Sequence, residues 1–239
     1  MTPLSRLYAL ALDVETGGLD PQTDALLAIG LAVVVSGEVV SSASVRVRPA
    51  AGLRITPEAV AVNGWRSVEA GDVSEPHAVA SAHEAVMDLL QKAPTGARLC
   101  LLGHNVEFDA GFLRAAAARC GLPDPLAPFG HRYIDSCALA ALPELLGHLP
   151  EGRSLDALCR QLGVERGARP HQDPLDDALA SWRCARAIVE RYGADSVAAA
   201  KARWPYRARR EAAVMAAMRA AAPAHKDLPM PPTGDDDAG

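Results

Sequence analysis

The chain contains 239 residues, which is the size of one large domain or of one domain with an appendage. Hydrophobic residues make up 49% of it, so there is enough apolar material for a core, and a wholly disordered chain is excluded. The 24 basic and 29 acidic residues give a net charge of -5, so overall charge gives no argument for a nucleic acid or an anionic membrane as partner. A polyanionic ligand would need a local site.

The first half of the chain predicts a sheet that begins with an antiparallel meander. Residues 7–12 are apolar on both faces and precede a break at Gly17-Gly18, which is typical of a buried strand that ends in a loop. Residues 25–35 and 39–47 are rich in valine and are separated by a turn at Ser36-Gly37, so they predict a hairpin of two further strands. We therefore expect the sheet to begin with antiparallel strands.

The rest of the chain alternates helices with strands. Predicted helices run from Pro57 to the Asn63-Gly64 stop signal, over about 75–92, over 109–120, after a cap at Ser154, and from Asp173-Pro174 to about Tyr192. Predicted strands at 98–103 and 133–135 lie between them. This order predicts an α/β fold whose mixed sheet is flanked by helices.

Composition divides the chain into three parts. Residues 1–192 contain the alternating elements and form the expected folded domain. Residues 193–222 are rich in alanine and arginine and predict a helical appendage, whereas residues 223–239 are rich in proline and aspartate and predict a disordered acidic tail.

The cysteines and the N-terminus predict a cytoplasmic protein. Five cysteines, an odd number with no C-x-x-C pair, argue against a disulfide framework and a zinc knuckle and favour a reducing compartment. The apolar run after Arg6 leads directly into Asp13 and Glu15, which is unlike a signal peptide. The longest apolar run is too short to cross a bilayer, so we expect no membrane partner.

Two carboxylates, Asp13 and Glu15, follow the first predicted strand with one residue between them. A period of two places them on the same face of a strand, where two like charges need a cation. Hard divalent ions such as Mg²⁺ take oxygen ligands of this kind. Taken alone, this pattern describes an ordinary acidic loop more often than a metal site.

Two further polar groups follow in chain order. Asp109 begins a predicted helix, where an acid also interacts favourably with the helix dipole, and His171 precedes a helix whose first turn is acidic, where it could belong to a solvated cap. Alternating α/β elements would bring these residues and the Asp13–Glu15 pair to one edge of the sheet. Their order therefore predicts a single site.

Three segments resemble, in order and spacing, the exonuclease motifs of the DEDDh 3′-5′ exonucleases. They are residues 12–18, 103–109 and 171–178. The resemblance covers about residues 7–192, and residues 19–29 and 55–58 look most like the ribonuclease T branch of the superfamily. Each motif alone is weak, but the three together are highly specific.

The resemblance implies a fold, a reaction and a partner. The fold would be a ribonuclease H-like mixed sheet, holding two Mg²⁺ ions, for which Mn²⁺ is expected to substitute. His171 would act as general base, since an imidazole of ordinary pKa can take a proton from water at neutral pH. The substrate would be the single-stranded or frayed 3′ end of RNA or DNA and the product a nucleoside 5′-monophosphate. A homodimer stays open, because the sequence does not give the oligomeric state.

The same resemblance assigns residues to metal and substrate. The metal ligands would be Asp13, Glu15, Asp109 and an aspartate of the third motif. The terminal nucleotide would be held at Thr16, Gly17, His104, Asn105 and Phe108. Gly17 departs from the family, where a second threonine is common, and we expect this to alter the nucleotide pocket rather than the chemistry.

The third motif leaves two candidates for the last ligand. The family spacing of four residues between histidine and acid selects Asp176. The resemblance combined with the helix phase selects Asp177: in related enzymes the metal-binding aspartate follows a buried leucine by two residues and directly precedes a buried alanine, and Leu175 and Ala178 lie on the predicted apolar stripe. We predict Asp177, with an inserted residue before Pro174, and keep Asp176 as the alternative.

Two rival functions remain open on sequence grounds. The fold could be retained as a noncatalytic module that binds nucleic acid or a protein partner, although such a module would not need every acid and His171. It could also be an unrelated carboxylate metallohydrolase acting on a small phosphate compound.

Overall fold

The computed structural model describes residues 4–64, 71–167 and 173–203. The chain divides into two compact units, residues 1–193 and 194–239. Of the second unit the structure describes only the helical backbone of residues 194–203. The predicted general base His171, and most of the predicted appendage and tail, lie outside the described residues.

A five-stranded mixed sheet forms the centre of the first unit. Its strands are β1 (Tyr8–Thr16), β2 (Leu26–Val35), β3 (Glu38–Arg46), β4 (Leu99–Gly103) and β5 (Tyr133–Asp135). They are arranged in the order β3-β2-β1-β4-β5; β1, β2 and β3 pair antiparallel, and β1, β4 and β5 pair parallel. The predicted fold class, with its antiparallel meander first, is confirmed.

Helices flank this sheet. They are α1 (Pro57–Asn63), α2 (Glu75–Lys92), α3 (Val106–Arg119), α4 (Ser136–Leu139), α5 (Ala141–Leu145), α6 (Leu155–Leu162) and α7 (Pro174–Arg203). The start and stop signals of α1 act as predicted, because the Thr56 hydroxyl accepts the Ala59 N–H at 3.1 Å and Gly64 takes the left-handed conformation that ends the helix.

Three element boundaries differ from the sequence prediction. Strand β1 continues past Leu12 to Thr16, because its last residues, including Asp13 and Glu15, still pair with β2. Helix α3 begins at Val106 rather than Asp109. Helix α7 continues past Tyr192 to Arg203.

Strand β1 is covered on both faces, and its alternation determines which residues meet α7. Leu10, Leu12 and Val14 belong to a core cluster shared with α2 and α3. Ala9 and Ala11 face the other way and pack with residues of α7, among them Trp182. By the same period of two, Asp13 and Glu15 lie on the α7 side of the sheet.

Among the described residues, no helix is both long enough and apolar enough to span a bilayer.

Candidate active site

Three carboxylates meet beside the end of β1. Asp13 and Glu15 come from β1, and Asp177 comes from the first turn of α7; one oxygen of each lies within 4.8 Å of the others. Oxygens on opposite sides of one Mg²⁺ ion are about 4.2 Å apart. The three groups are therefore close to the separation at which they can share a cation.

Asp109 reaches the same place from the first turn of α3. Its Oδ1 accepts the backbone N–H of Val14, which lies between the two β1 acids, at 3.0 Å. The residue is only 4% exposed. Three separate elements thus bring four carboxylates together, and the all-oxygen donor set suits a hard divalent cation.

Gly30 permits the close approach of α7 to the sheet. It pairs with Asp13 across the β1–β2 ladder. A β-carbon at this position would lie 2.2 Å from the backbone of Pro174 and Leu175, so only glycine allows the start of α7 to pass here. Sequence reasoning missed Gly30, since a glycine inside a strand signals close approach without saying of what.

The two candidates of the third motif are placed differently. Asp177 is 3% exposed and faces Asp13 and Glu15. Asp176 is partly exposed, and its carboxylate lies against Gly167 in the loop before α7. Ala178 is fully buried against the sheet, as the helix-phase argument requires. The arrangement brings Asp177, and not Asp176, to the other carboxylates.

Burial, and after it the crowding of the acids, raises the pKa values of three of them. Desolvation and the neighbouring carboxylates raise the pKa of Glu15 to about 8. Desolvation also raises the pKa of Asp109 to about 8 against two backbone hydrogen bonds that lower it. The Asp13 pKa is raised well above its ordinary value by desolvation and by Asp109, although part of this residue faces the cavity. Raised pKa values of this kind are typical of clustered carboxylates that bind a metal ion when the ion is not bound.

Arg166 also belongs to the site, and sequence reasoning missed it. Its Nε donates to Asp177 Oδ1 at 2.8 Å and its Nη2 donates to Asp177 Oδ2 at 2.6 Å, while Nη1 contacts Asp156 on α6. The Arg166 side chain is 6% exposed. The sequence of the loop does not distinguish Arg166 from an exposed arginine, because both of its carboxylate partners lie outside the loop, on two different helices.

A cavity of about 570 Å³ opens over the carboxylates. Thr16, His104 and Phe108, three of the predicted nucleotide contacts, line it together with Leu19 and Val62. It is wide enough for a nucleotide-sized ligand, whose sites commonly have volumes of about 300–1,000 Å³.

The other two predicted contacts are outside the described lining of the cavity. A β-carbon on Gly17 would lie 2.3 Å from the Arg54 carbonyl oxygen, so position 17 faces the backbone of residues 54–55 rather than the cavity. Asn105 has a left-handed backbone and donates its N–H to Asp135 Oδ1 at 3.1 Å. Both residues hold the backbone beside the site.

His104 is fixed from behind the cavity. Its Nδ1 lies 2.8 Å from the hydroxyl of Ser136, which is fully buried. Burial lowers the pKa of His104 against the opposing effect of Asp135. The imidazole therefore favours its neutral form, able both to donate and to accept a hydrogen bond.

Solved structures share this fold. Exonuclease I of E. coli in complex with a dT13 oligonucleotide superposes with a TM-score of 0.63 and 23% identity, over 78% of this chain and 42% of that one. Exonuclease I of Methylocaldum szegediense gives 0.60 and 21%, over 77% of this chain and 41% of that one. The shared architecture is therefore a ribonuclease H-like fold.

Sequence relatives cover a shorter segment. Ribonuclease T of Shewanella sp. strain ANA-3 is 34% identical over 149 residues, which are 59% of this chain and 65% of that protein. Ribonuclease T of Shewanella baltica strain OS155 is 35% identical over the same shares. The alignments span 65% of the length of these relatives.

A sequence model described as an exonuclease, RNase_T, matches residues 10–184. The chain belongs to this exonuclease family. The matched segment contains β1 from Leu10 onward, α3 and the start of α7, and with them all four carboxylates.

Proposed function

We propose that this chain is a divalent-metal-dependent 3′-5′ exonuclease that releases nucleoside 5′-monophosphates from single-stranded or frayed 3′ ends of RNA or DNA. The observation that carries the proposal is the convergence of Asp13, Glu15, Asp109 and Asp177 beneath an open cavity. Two Mg²⁺ ions, replaceable by Mn²⁺, are the proposed cofactor.

The charge of the cavity supports a metal requirement. Its described lining contains one guanidinium, that of Arg166, no lysine and five carboxylates, those of Asp13, Glu15, Glu58, Asp109 and Asp177. With these carboxylates ionised, the surface would repel a polyanionic strand unless cations neutralised it. When bound, the ions would activate a water and stabilise charge on the attacking and leaving oxygens.

The residues of this chain supply the remaining functions. The four carboxylates would hold the ions, and His171 would accept the proton of the attacking water. Thr16, His104 and Phe108 line the space in which a terminal nucleotide would lie. Phe108 packs on Phe112 with ring centroids 5.0 Å apart, which steadies an aromatic face at the cavity.

The free thiols support the cytoplasm as the place of this reaction. All five cysteines are unpaired, including Cys159 and Cys184, whose sulfurs are 3.6 Å apart without a bond. Thiols persist in reducing compartments.

The test is cleavage of 5′-labelled single-stranded RNA and DNA with Mg²⁺, resolved nucleotide by nucleotide, by the unchanged chain and by Asp13→Ala. We expect a ladder that shortens from the 3′ end with the unchanged chain and no cleavage by Asp13→Ala, which loses a ligand but relieves carboxylate repulsion. The control is Asp88→Asn, which removes a carboxylate on α2 paired with Lys92, outside the cavity.

Three outcomes contradict the proposal. Equal cleavage by Asp13→Ala rules out the carboxylate site. Strand binding by the unchanged chain without Mg²⁺- or Mn²⁺-dependent cleavage favours a noncatalytic module. Hydrolysis of mononucleotides but not of oligonucleotides favours a small-molecule phosphohydrolase.

A further inference from the structure

Arg166 joins a carboxylate of the site to one outside it. Two of its N–H groups point at the two oxygens of Asp177, a bidentate arrangement that fixes the plane of the carboxylate. A third contacts Asp156, in the first turn of α6, whose side chain is 43% exposed. We refer to the pair Asp156–Arg166 as the clamp.

The clamp and the convergence of the acids coexist. Asp177 lies within 4.8 Å of Asp13 and Glu15 while it holds Arg166. An ionised carboxylate offers about four lone-pair positions, of which the guanidinium takes two. Two contacts with a guanidinium therefore do not by themselves prevent a carboxylate from also binding a cation, and metal binding does not require Arg166 to leave.

Asp156 offsets the charge of Arg166. A guanidinium with no partner except Asp177 would compete with a divalent ion for that carboxylate. Asp156 contacts Nη1, whereas Nε and Nη2 hold Asp177, so Asp156 offsets part of the positive charge of the guanidinium.

We propose that the Asp156–Arg166 clamp is a positioning device that orients Asp177 for the divalent ions. The inference rests on the proposed function, because it requires the carboxylates to bind metal. Groups that hydrogen-bond to metal-ligating residues commonly affect metal affinity by about 10–100-fold when they are removed.

The experiment is a Mn²⁺ titration of the full chain without nucleic acid, followed by the electron paramagnetic resonance signal of the free ion, together with the melting temperature without metal. We expect Arg166→Gln to bind Mn²⁺ about 10–100-fold more weakly. Arg166→Lys keeps the charge but not the fork, so its affinity should stay weakened. Asp156→Asn should weaken binding less than Arg166→Gln does.

Arg119→Gln is the matched control. Arg119 also forms a two-point contact with a buried carboxylate, Glu75, at 2.6 and 3.4 Å, but both lie away from the described lining of the site. We expect this variant to have a lower melting temperature and an unchanged affinity for Mn²⁺.

Each other result overturns the inference. Tighter binding by Arg166→Gln shows that the arginine competes with metal. Unchanged affinity with a lower melting temperature shows a purely structural role, and full recovery of affinity by Arg166→Lys shows that charge suffices. If Arg166→Gln does not fold, unchanged affinity of Asp156→Asn overturns the clamp. Failure of the unchanged chain to bind Mn²⁺ overturns the metal site itself, whereas failure of the variants alone leaves the proposed function standing.

Discussion

Gly30 lies directly across the β1–β2 ladder from Asp13, and the space its side chain would fill is occupied by the backbone of α7 at Pro174 and Leu175. Asp177 follows less than one turn later in the same helix. The absence of a side chain at Gly30 therefore determines how close Asp13 and Asp177 come to each other.

We expect Gly30→Ala to destabilise the protein and to weaken metal binding together. Overpacking a tight site costs about 1–3 kcal/mol, and here the clash is with backbone rather than with a flexible side chain. Urea denaturation and Mn²⁺ titration measure the two effects.

Gly111→Ala is the matched control for this substitution. Gly111 lies inside α3, and a β-carbon there would meet nothing nearer than Pro21 Cγ at 3.8 Å. Alanine should stabilise the helix by about 0.5–1 kcal/mol and leave Mn²⁺ affinity unchanged. If Gly30→Ala behaves like Gly111→Ala, the start of α7 does not depend on Gly30.

Local sequence signals were sufficient to predict the order of the helices and strands and the side of each element on which the acidic residues lie. The period of two places Asp13 and Glu15 on one face of β1, and the helix phase places Asp177 inward. The end of β1 and the start of α3 were missed, because pairing with β2 extends the strand and the contact of Asn105 with Asp135 lies where the helix begins. The length of α7 beyond Tyr192 was missed as well.

The parts of the site that escaped prediction depend on contacts between distant elements. Gly30 acquires its role from a helix that begins at residue 174, and Arg166 from Asp156 and Asp177 on two helices. No periodicity or spacing within a single segment carries this information. Gly17 shows the converse case: its position in a motif suggested a pocket residue, but its missing side chain accommodates the Arg54 backbone.

The two adjacent acids of α7 give a direct test of the ligand set. Asp177→Asn should abolish Mg²⁺-dependent turnover and weaken Mn²⁺ binding, because it neutralises a buried carboxylate within 4.8 Å of Asp13 and Glu15. Asp176→Asn should retain both, since Asp176 lies against Gly167 outside the described cluster. Turnover and Mn²⁺ titrations of the two variants side by side decide the matter, and the reverse outcome would restore the plain spacing rule.

The role proposed for His171 separates chemistry from metal binding. His171→Ala should slow turnover by about 10²–10⁴-fold, the usual effect of removing a general base. Mn²⁺ affinity should change little, because the proposed ligands are carboxylates. Single-turnover kinetics at neutral pH and the same titration measure the two quantities, and near-normal turnover would remove His171 from the mechanism.

The raised proton affinities of the acids predict how stability depends on pH without metal. The pKa of Glu15 rises from 4.5 to about 8 and that of Asp109 from 3.8 to about 8, mainly through desolvation. Between the pKa values of the unfolded chain, near 4, and those of the folded chain, about 8, the folded chain holds protons that the unfolded chain has released. The free energy of unfolding should therefore fall as the pH rises from about 4 to about 8.

Divalent ions should flatten this dependence, because they bind the deprotonated carboxylates and replace the protons near neutral pH. The measurement is urea denaturation from about pH 5 to about pH 8.5 in EDTA and in excess Mg²⁺. Glu15→Gln serves as the matched variant: a neutral side chain of the same shape removes one repelling charge, so at about pH 8 in EDTA it should be more stable than the unchanged chain. Stability that increases with pH in EDTA would mean that these carboxylates are already ionised in the metal-free folded chain, which would contradict their raised pKa values.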